Sequence, residues 1–106
     1  MARPKRNNFP KSSKTEVKKA LKDALPEHYF ILVTGVPIKN IKELMNSFDT
    51  MNEWVFNHHV NSERNDFTNW ISEVFEEKEL ADEIRGIKQM HEMQHKMLRH
   101  LVNKYL

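Results

Sequence analysis

The segment His91-Glu92-Met93-Gln94-His95 has residue types and spacing suited to metal chemistry, because it matches the H-E-x-x-H pattern. In zinc peptidases this pattern places two imidazoles on one helical turn and a glutamate beside the metal-bound water. A catalytic zinc also needs a third protein ligand, and no acidic residue follows Glu92. His100 lies about 180° around a helix from His91, so it cannot supply that ligand. Zinc hydrolysis is therefore one hypothesis, with His91 and His95 as its candidate ligands.

The alternative for this segment is an amphipathic last helix with the two histidines along its edge. Its predicted apolar face comprises Ile87, Met90, Met97, Leu98, Leu101 and Tyr105. Most of these side chains are Met or Leu, whose adaptable shapes suit packing on the domain or pairing with a second copy. We favour this interpretation, which predicts neither a metal nor any other cofactor.

A second pair, His58 and His59, continues an apolar spacing that also includes Met51, Trp54 and Val55. Imidazoles serve as metal ligands and as acid–base groups near neutral pH. They also occur buried, with their ring nitrogens satisfied by protein partners, which here would be Asn65, Asp66 or a backbone carbonyl. We favour this structural role, for a motif made of His58, His59, Asn65, Asp66, Phe67 and Trp70.

The segment after these histidines predicts a helix whose apolar face belongs to the core. Its apolar residues recur with the spacing of one helical face, at Phe67, Trp70, Ile71, Val74 and Phe75. Asn65 or Asp66 can accept hydrogen bonds from the free N–H groups of the first turn. The helix is therefore expected to begin there.

The stretch from His58 to Phe75 resembles a small domain of unknown function found in archaeal and some bacterial proteins. The pattern is H-H-V-N-x-E-x-N-D-F-x-N-W-I, followed by Val74 and Phe75 and then by an E-L-A at residues 79–81. Thr68, Ser72 and Glu73 depart from the family pattern without disturbing the apolar face. A looser resemblance extends back to Tyr29 and forward to about Gly86, and it implies a fold but no reaction.

Composition is typical of one globular domain with a polar surface. The 106 residues are 39% hydrophobic and 30% charged, and they include no cysteine, which excludes disulfides and thiolate metal sites. No apolar run approaches the roughly 20 residues of a membrane span. We therefore expect a cytoplasmic protein that does not enter a membrane.

Positive charge is concentrated at the N-terminus. Residues 1–26 hold 8 Lys or Arg against 2 acidic residues, a net of +6, so the remainder has a net of −4 within the total of +2. Residues 1–12 have the composition of a basic flexible tail, and residues 13–106 are predicted to form a single α-rich domain. Candidate contacts for nucleic acid or another anion are Arg3, Lys5, Arg6, Lys11, Lys14, Lys18, Lys19 and Lys22.

The remaining patterns predict a mainly α (α+β) fold, a small helical domain with one short β-hairpin. A first helix is expected from Ser13 to Leu25, before Pro26. The apolar run 28–34 predicts a strand covered on both faces, and Pro37 places the return strand at an edge. Capping-box spacing at Asn40 and Glu43, and again at Thr50 and Glu53, predicts two short helices, and residues 76–85 predict another.

Three function classes follow from these features. The first is a non-catalytic interaction module with a basic N-terminal arm, which binds a protein partner or a second copy. The second is nucleic-acid binding through residues 1–22, because clustered Lys and Arg neutralise phosphates. The third is the zinc hydrolase described above. We rank them in this order, and the first two are compatible.

Overall fold

The computed structural model describes residues 22–105, which form a mainly helical α+β domain with one hairpin, as predicted. A 3-10 turn at Pro26–His28 leads into β1 (Phe30–Ile31) and β2 (Pro37–Ile38). Five helices follow: α1 (Ile41–Ser47), α2 (Glu53–His59), α3 (Asp66–Phe75), α4 (Lys78–Ile84) and α5 (Met90–Tyr105). The predicted basic tail and most of the predicted first helix lie outside the described residues.

The hairpin is antiparallel, with Phe30 opposite Ile38 and Ile31 opposite Pro37. Gly35 has a φ of +92°, a backbone conformation that the turn requires and that side-chain-bearing residues rarely adopt. The prediction that both faces are covered was wrong, because Ile31 is 56% exposed whereas Ile38 is buried. Successive strand residues point to opposite faces, and the helices cover only one of them.

The sequence pattern predicted a helix up to Leu25, and this prediction was wrong for the residues just before the hairpin. Residues 22–25 are not helical, and Leu25 has an extended backbone. The Ala24 N–H donates to the Lys39 carbonyl at 2.8 Å, so this segment lies against the end of β2. A tertiary hydrogen bond therefore replaces the local one that a helix would make.

Helix α1 begins as predicted, with the Glu43 N–H donating to Asn40 Oδ1 at 2.7 Å. The Glu43 carboxylate accepts a hydrogen bond from the Lys39 N–H, whereas a capping box would use the N–H of Asn40. The prediction of a capping box at Thr50 was wrong. Helix α2 begins at Glu53, and its N-cap residue Asn52 makes no side-chain capping hydrogen bond.

The buried face of α2 differs from the predicted one. Val55, Phe56 and His59 are buried, whereas Trp54 is 59% exposed and His58 is also exposed. The apolar spacing of this helix fits two faces, and packing against α1 and α3 selects the one that contains Phe56. The aromatic ring of Phe56 lies 5.6 Å from that of Phe48 at the end of α1.

Helices α3, α4 and α5 complete the core. The α3 face is buried as predicted, α4 packs along α3, and α5 contacts α4 and α1. On α5 the buried side includes Met93 and His100, which the pattern had missed, whereas Leu98 is 49% exposed. Within residues 22–105, no helix is long and apolar enough to cross a membrane.

Candidate functional site

The H-E-x-x-H segment forms the first turns of α5 and presents its histidines outward. Met93 is fully buried, and the Gln94 amide donates to the Met45 carbonyl at 2.9 Å and to Asp49 Oδ1 at 2.8 Å. Met93 and Gln94, the two variable positions of the pattern, therefore attach α5 to the rest of the domain, whereas His91 and His95 remain exposed.

Within residues 22–105, no third metal ligand accompanies these imidazoles. Among residues 22–105, no group of three His, Cys, Asp or Glu side chains is close enough to hold a metal ion. A hydrolytic zinc site requires three protein ligands and an open coordination position. Zinc hydrolysis therefore stays a prediction of the sequence, to which the described residues add no third ligand.

The other pair contains one exposed and one buried imidazole. His59, with 5% of its surface exposed, lies between the hairpin and α3. Its Nδ1 is 3.0 Å from Asp66 Oδ2, and its Nε2 accepts from the Val33 N–H at 3.1 Å. These contacts require neutral imidazole with its proton on Nδ1, because protonated Nε2 cannot accept the Val33 hydrogen bond.

Burial is the main influence on the charge state of His59. It lowers the pKa of the imidazole below its usual value, and the opposing effect of the Asp66 carboxylate is smaller. Arg64 also lies near Asp66, with 3.4 Å between Nε and Oδ2. His59 is thus a neutral connector whose two nitrogens are both occupied, an arrangement unsuited to passing protons to a ligand.

Exposed His58 helps to hold the loop between α2 and α3. Arg64 Nη2 donates to the His58 carbonyl at 2.8 Å and lies 3.2 Å from His58 Nε2. The Asn61 N–H donates to the Arg64 carbonyl at 2.9 Å, which closes the loop. Asn65 then caps α3 by accepting from the Thr68 N–H at 3.0 Å.

Aromatic rings surround the buried imidazole. Phe30 of the hairpin lies 4.9 Å from His59, 5.0 Å from Phe67 and 5.8 Å from Trp70, measured between ring centroids. The Trp70 indole N–H donates to the His28 carbonyl at 2.7 Å. The motif residues Phe67 and Trp70 thus fix β1 from its N-terminal side, and His59 fixes the turn after it at Val33.

A polar cleft of about 480 Å³ lies beside this motif, between the α2–α3 loop and the segment that follows α4. Arg64, Arg85 and Lys88 contribute positive charge to its walls. Arg64 is paired with Asp66, and Arg85 lies 3.3 Å from Asp82. The positive charge of Lys88 that remains is too small to indicate an anionic ligand for this cleft.

Seven of the eight predicted anion contacts lie outside the described residues. Lys22 lies within the described chain and is exposed. The other seven, which lie outside it, are Arg3, Lys5, Arg6, Lys11, Lys14, Lys18 and Lys19.

Two polar contacts made by buried residues of α5 were not predicted. His100 Nδ1 lies 3.1 Å from Glu83 Oε1, and the Tyr105 hydroxyl donates to Glu77 Oε2 at 2.5 Å. Burial, reinforced by this hydrogen bond, raises the pKa of Tyr105 to about 12. The sequence did contain a signal for His100, because Met93, Met97 and His100 have the i, i+4, i+7 spacing of one buried face.

Fold and motif together define a small α+β domain in which the histidine and aromatic residues attach a hairpin to a helical core. The chain belongs to DUF5752, a family of unknown function, whose sequence profile matches residues 24–106. This confirms the resemblance to a domain of unknown function and extends it through α5. Comparisons with curated proteins and with solved structures found no match.

Proposed function

We propose that this protein is a non-catalytic interaction module, in which the helical domain presents its hairpin to a protein partner. The observation that supports this function is the uncovered outer face of the hairpin. Ile31, at the end of β1, is 56% exposed, and Val33, in the turn that follows, is 42% exposed. Leu25 and Val36, before and after them, are exposed as well.

Four exposed aliphatic side chains in one short segment differ from the isolated apolar residues of an ordinary surface. Contiguous apolar patches on soluble proteins commonly mark interaction sites. The hairpin is also held firmly from behind by His59 and Trp70, so its outer face is organised before binding. The partner it suits is a folded protein that presents a complementary apolar surface.

A matched pair of variants tests this proposal. The full chain carrying Ile31→Lys and Val33→Lys is compared with a control carrying Asn57→Lys and Asn69→Lys, which adds the same charge at exposed polar positions. We expect a partner captured by cross-linking to be retained by the wild type and the control and lost by the hairpin variant. Identical capture by all three proteins, or none by any, would refute the proposal.

Nucleic-acid binding by the basic arm is a second candidate, supported by the charge of +6 in residues 1–26. Binding through phosphate contacts weakens steeply as salt increases. We expect the full chain to bind mixed-sequence RNA or DNA with such a dependence. Replacing Arg3, Lys5, Arg6 and Lys11 with Gln should reduce both the affinity and the salt slope. Binding that is insensitive to salt or to these changes would argue against the arm.

A further inference from the structure

The exposed flank of α5 beside α1 carries a line of four side chains, which we call the α5 seam: His91, His95, Leu98 and Val102. Both histidines are exposed, and Leu98 and Val102 are 49% and 42% exposed. At 100° per residue, the four positions fall within a sector of about 60°. Their spacing of 4, 3 and 4 residues is the heptad spacing by which one helix packs on another.

We propose that two copies of this protein pair through the α5 seam and hold a Zn²⁺ ion between them, coordinated by His91 and His95 of each copy. This interface is separate from the hairpin surface of the proposed function, and neither depends on the other. The ligand is a divalent metal ion that prefers imidazole, and the partner is a second copy of the chain.

Coordination chemistry is the first argument for the pairing. Two histidines four residues apart on one helix can reach the same ion. Zinc in structural sites is almost always bound by four tetrahedral ligands. In the described part of one chain, no third His, Asp or Glu side chain completes a metal-binding group with the pair. A second copy brings two more imidazoles, so four nitrogen ligands form without any cysteine.

The attachment of α5 to the domain is the second argument. Buried Met93 and the hydrogen bonds of Gln94 fix the rotation of the helix, so both imidazoles are exposed on its flank beside α1, where they line a cavity of about 310 Å³. Asp49, the nearby carboxylate, accepts one of these hydrogen bonds and helps to hold α5 in place. The bis-histidine pair is therefore positioned by the fold and open to a partner.

The size of the seam explains why the metal is required. Stable protein interfaces bury roughly 800 Å² per partner. Leu98 and Val102 are the exposed aliphatic residues of the seam, and they supply only a small part of such an area. Apolar contact along the seam alone is therefore too small to hold two copies together, and metal coordination supplies the remaining free energy.

The test is a zinc titration of the metal-free full chain, followed by analytical ultracentrifugation. We expect the mass to double at half an equivalent of Zn²⁺, with one ion for two chains. Excess zinc should restore monomers, because each copy then binds its own ion. A mass that stays monomeric at every ratio, or one zinc per chain without pairing, would overturn the proposal.

Variants locate the site. His95→Ala and the conservative His95→Gln should both abolish the zinc-dependent doubling, and Leu98→Lys should weaken it at least tenfold. His28→Ala, which removes an exposed imidazole elsewhere, should leave it unchanged, as should Ile31→Lys with Val33→Lys. Circular dichroism verifies folding. Doubling that survives in both folded His95 variants would exclude the site, and loss in His28→Ala would show that the effect is nonspecific.

Discussion

Replacement of His59 by phenylalanine isolates the contribution of its two hydrogen bonds. The new ring can keep the packing against Phe30 and Phe67, while the Val33 N–H loses its acceptor and Asp66 loses a donor. An ordinary hydrogen bond contributes about 1 kcal/mol, and Asp66 retains Arg64, so the free energy of unfolding should fall by about 2 kcal/mol at pH 7.5.

The same residue predicts a pH dependence with a definite sign. Because burial lowers the folded-state pKa of His59, its stabilising contribution is complete above the unfolded value of about 6.5. That contribution is lost as the pH falls through the lower folded pKa. The wild type should therefore lose stability between pH 7.5 and the folded pKa, and His59→Phe should lose less.

Urea denaturation at several pH values measures the change in unfolding free energy and its pH dependence. Hydrogen exchange at the Val33 amide reports the loss of its hydrogen bond to His59. His28→Phe is the matched control, because it changes an exposed imidazole and keeps the backbone carbonyl that accepts from Trp70, so it should alter stability by less than about 0.5 kcal/mol. If His59→Phe matched the wild type in stability and in pH slope, the reasoning about this imidazole would be wrong.

Three further changes test the core and its boundaries by the same denaturation assay. Phe67→Ala should cost about 3–5 kcal/mol, because its side chain is fully buried, and an unchanged midpoint would contradict that packing. Asn65→Ala should cost about 1 kcal/mol by removing the cap of α3, whereas Asn65→Asp should restore most of it. Tyr105→Phe should cost about 1 kcal/mol by leaving Glu77 without its hydroxyl donor. Because the pKa of Tyr105 is raised to about 12, this contribution should persist below about pH 10 and disappear as the pH rises through 12, which spectrophotometric titration can follow.

Features encoded by neighbouring residues were predictable from the sequence. The Asn40 and Asn65 caps and the apolar face of α3 depend on residues within one or two helical turns. The exposure of Trp54 was not predictable, because the spacing of α2 permits two buried faces and tertiary packing selects one.

Contacts between distant residues account for most of what the sequence did not reveal. The Val33 partner of His59 is 26 residues away, and the His28 partner of Trp70 is 42 residues away. The spacing of apolar residues describes one helix or strand at a time. It therefore identified His59 and Trp70 without identifying their hydrogen-bond partners in the hairpin segment. The outward orientation of His91 and His95 likewise depends on the attachment of Gln94 to α1 and Asp49.

The attachment of the hairpin also has a kinetic consequence. Each strand has only two residues, and two-stranded hairpins are marginal in water without further support. The contacts that support it must close long chain segments, whereas α3 and α4 adjoin in sequence and pack directly. Loop-closure entropy favours early association of α3 with α4. We therefore expect the hairpin to join late in folding, after His59 and Trp70 have reached their positions.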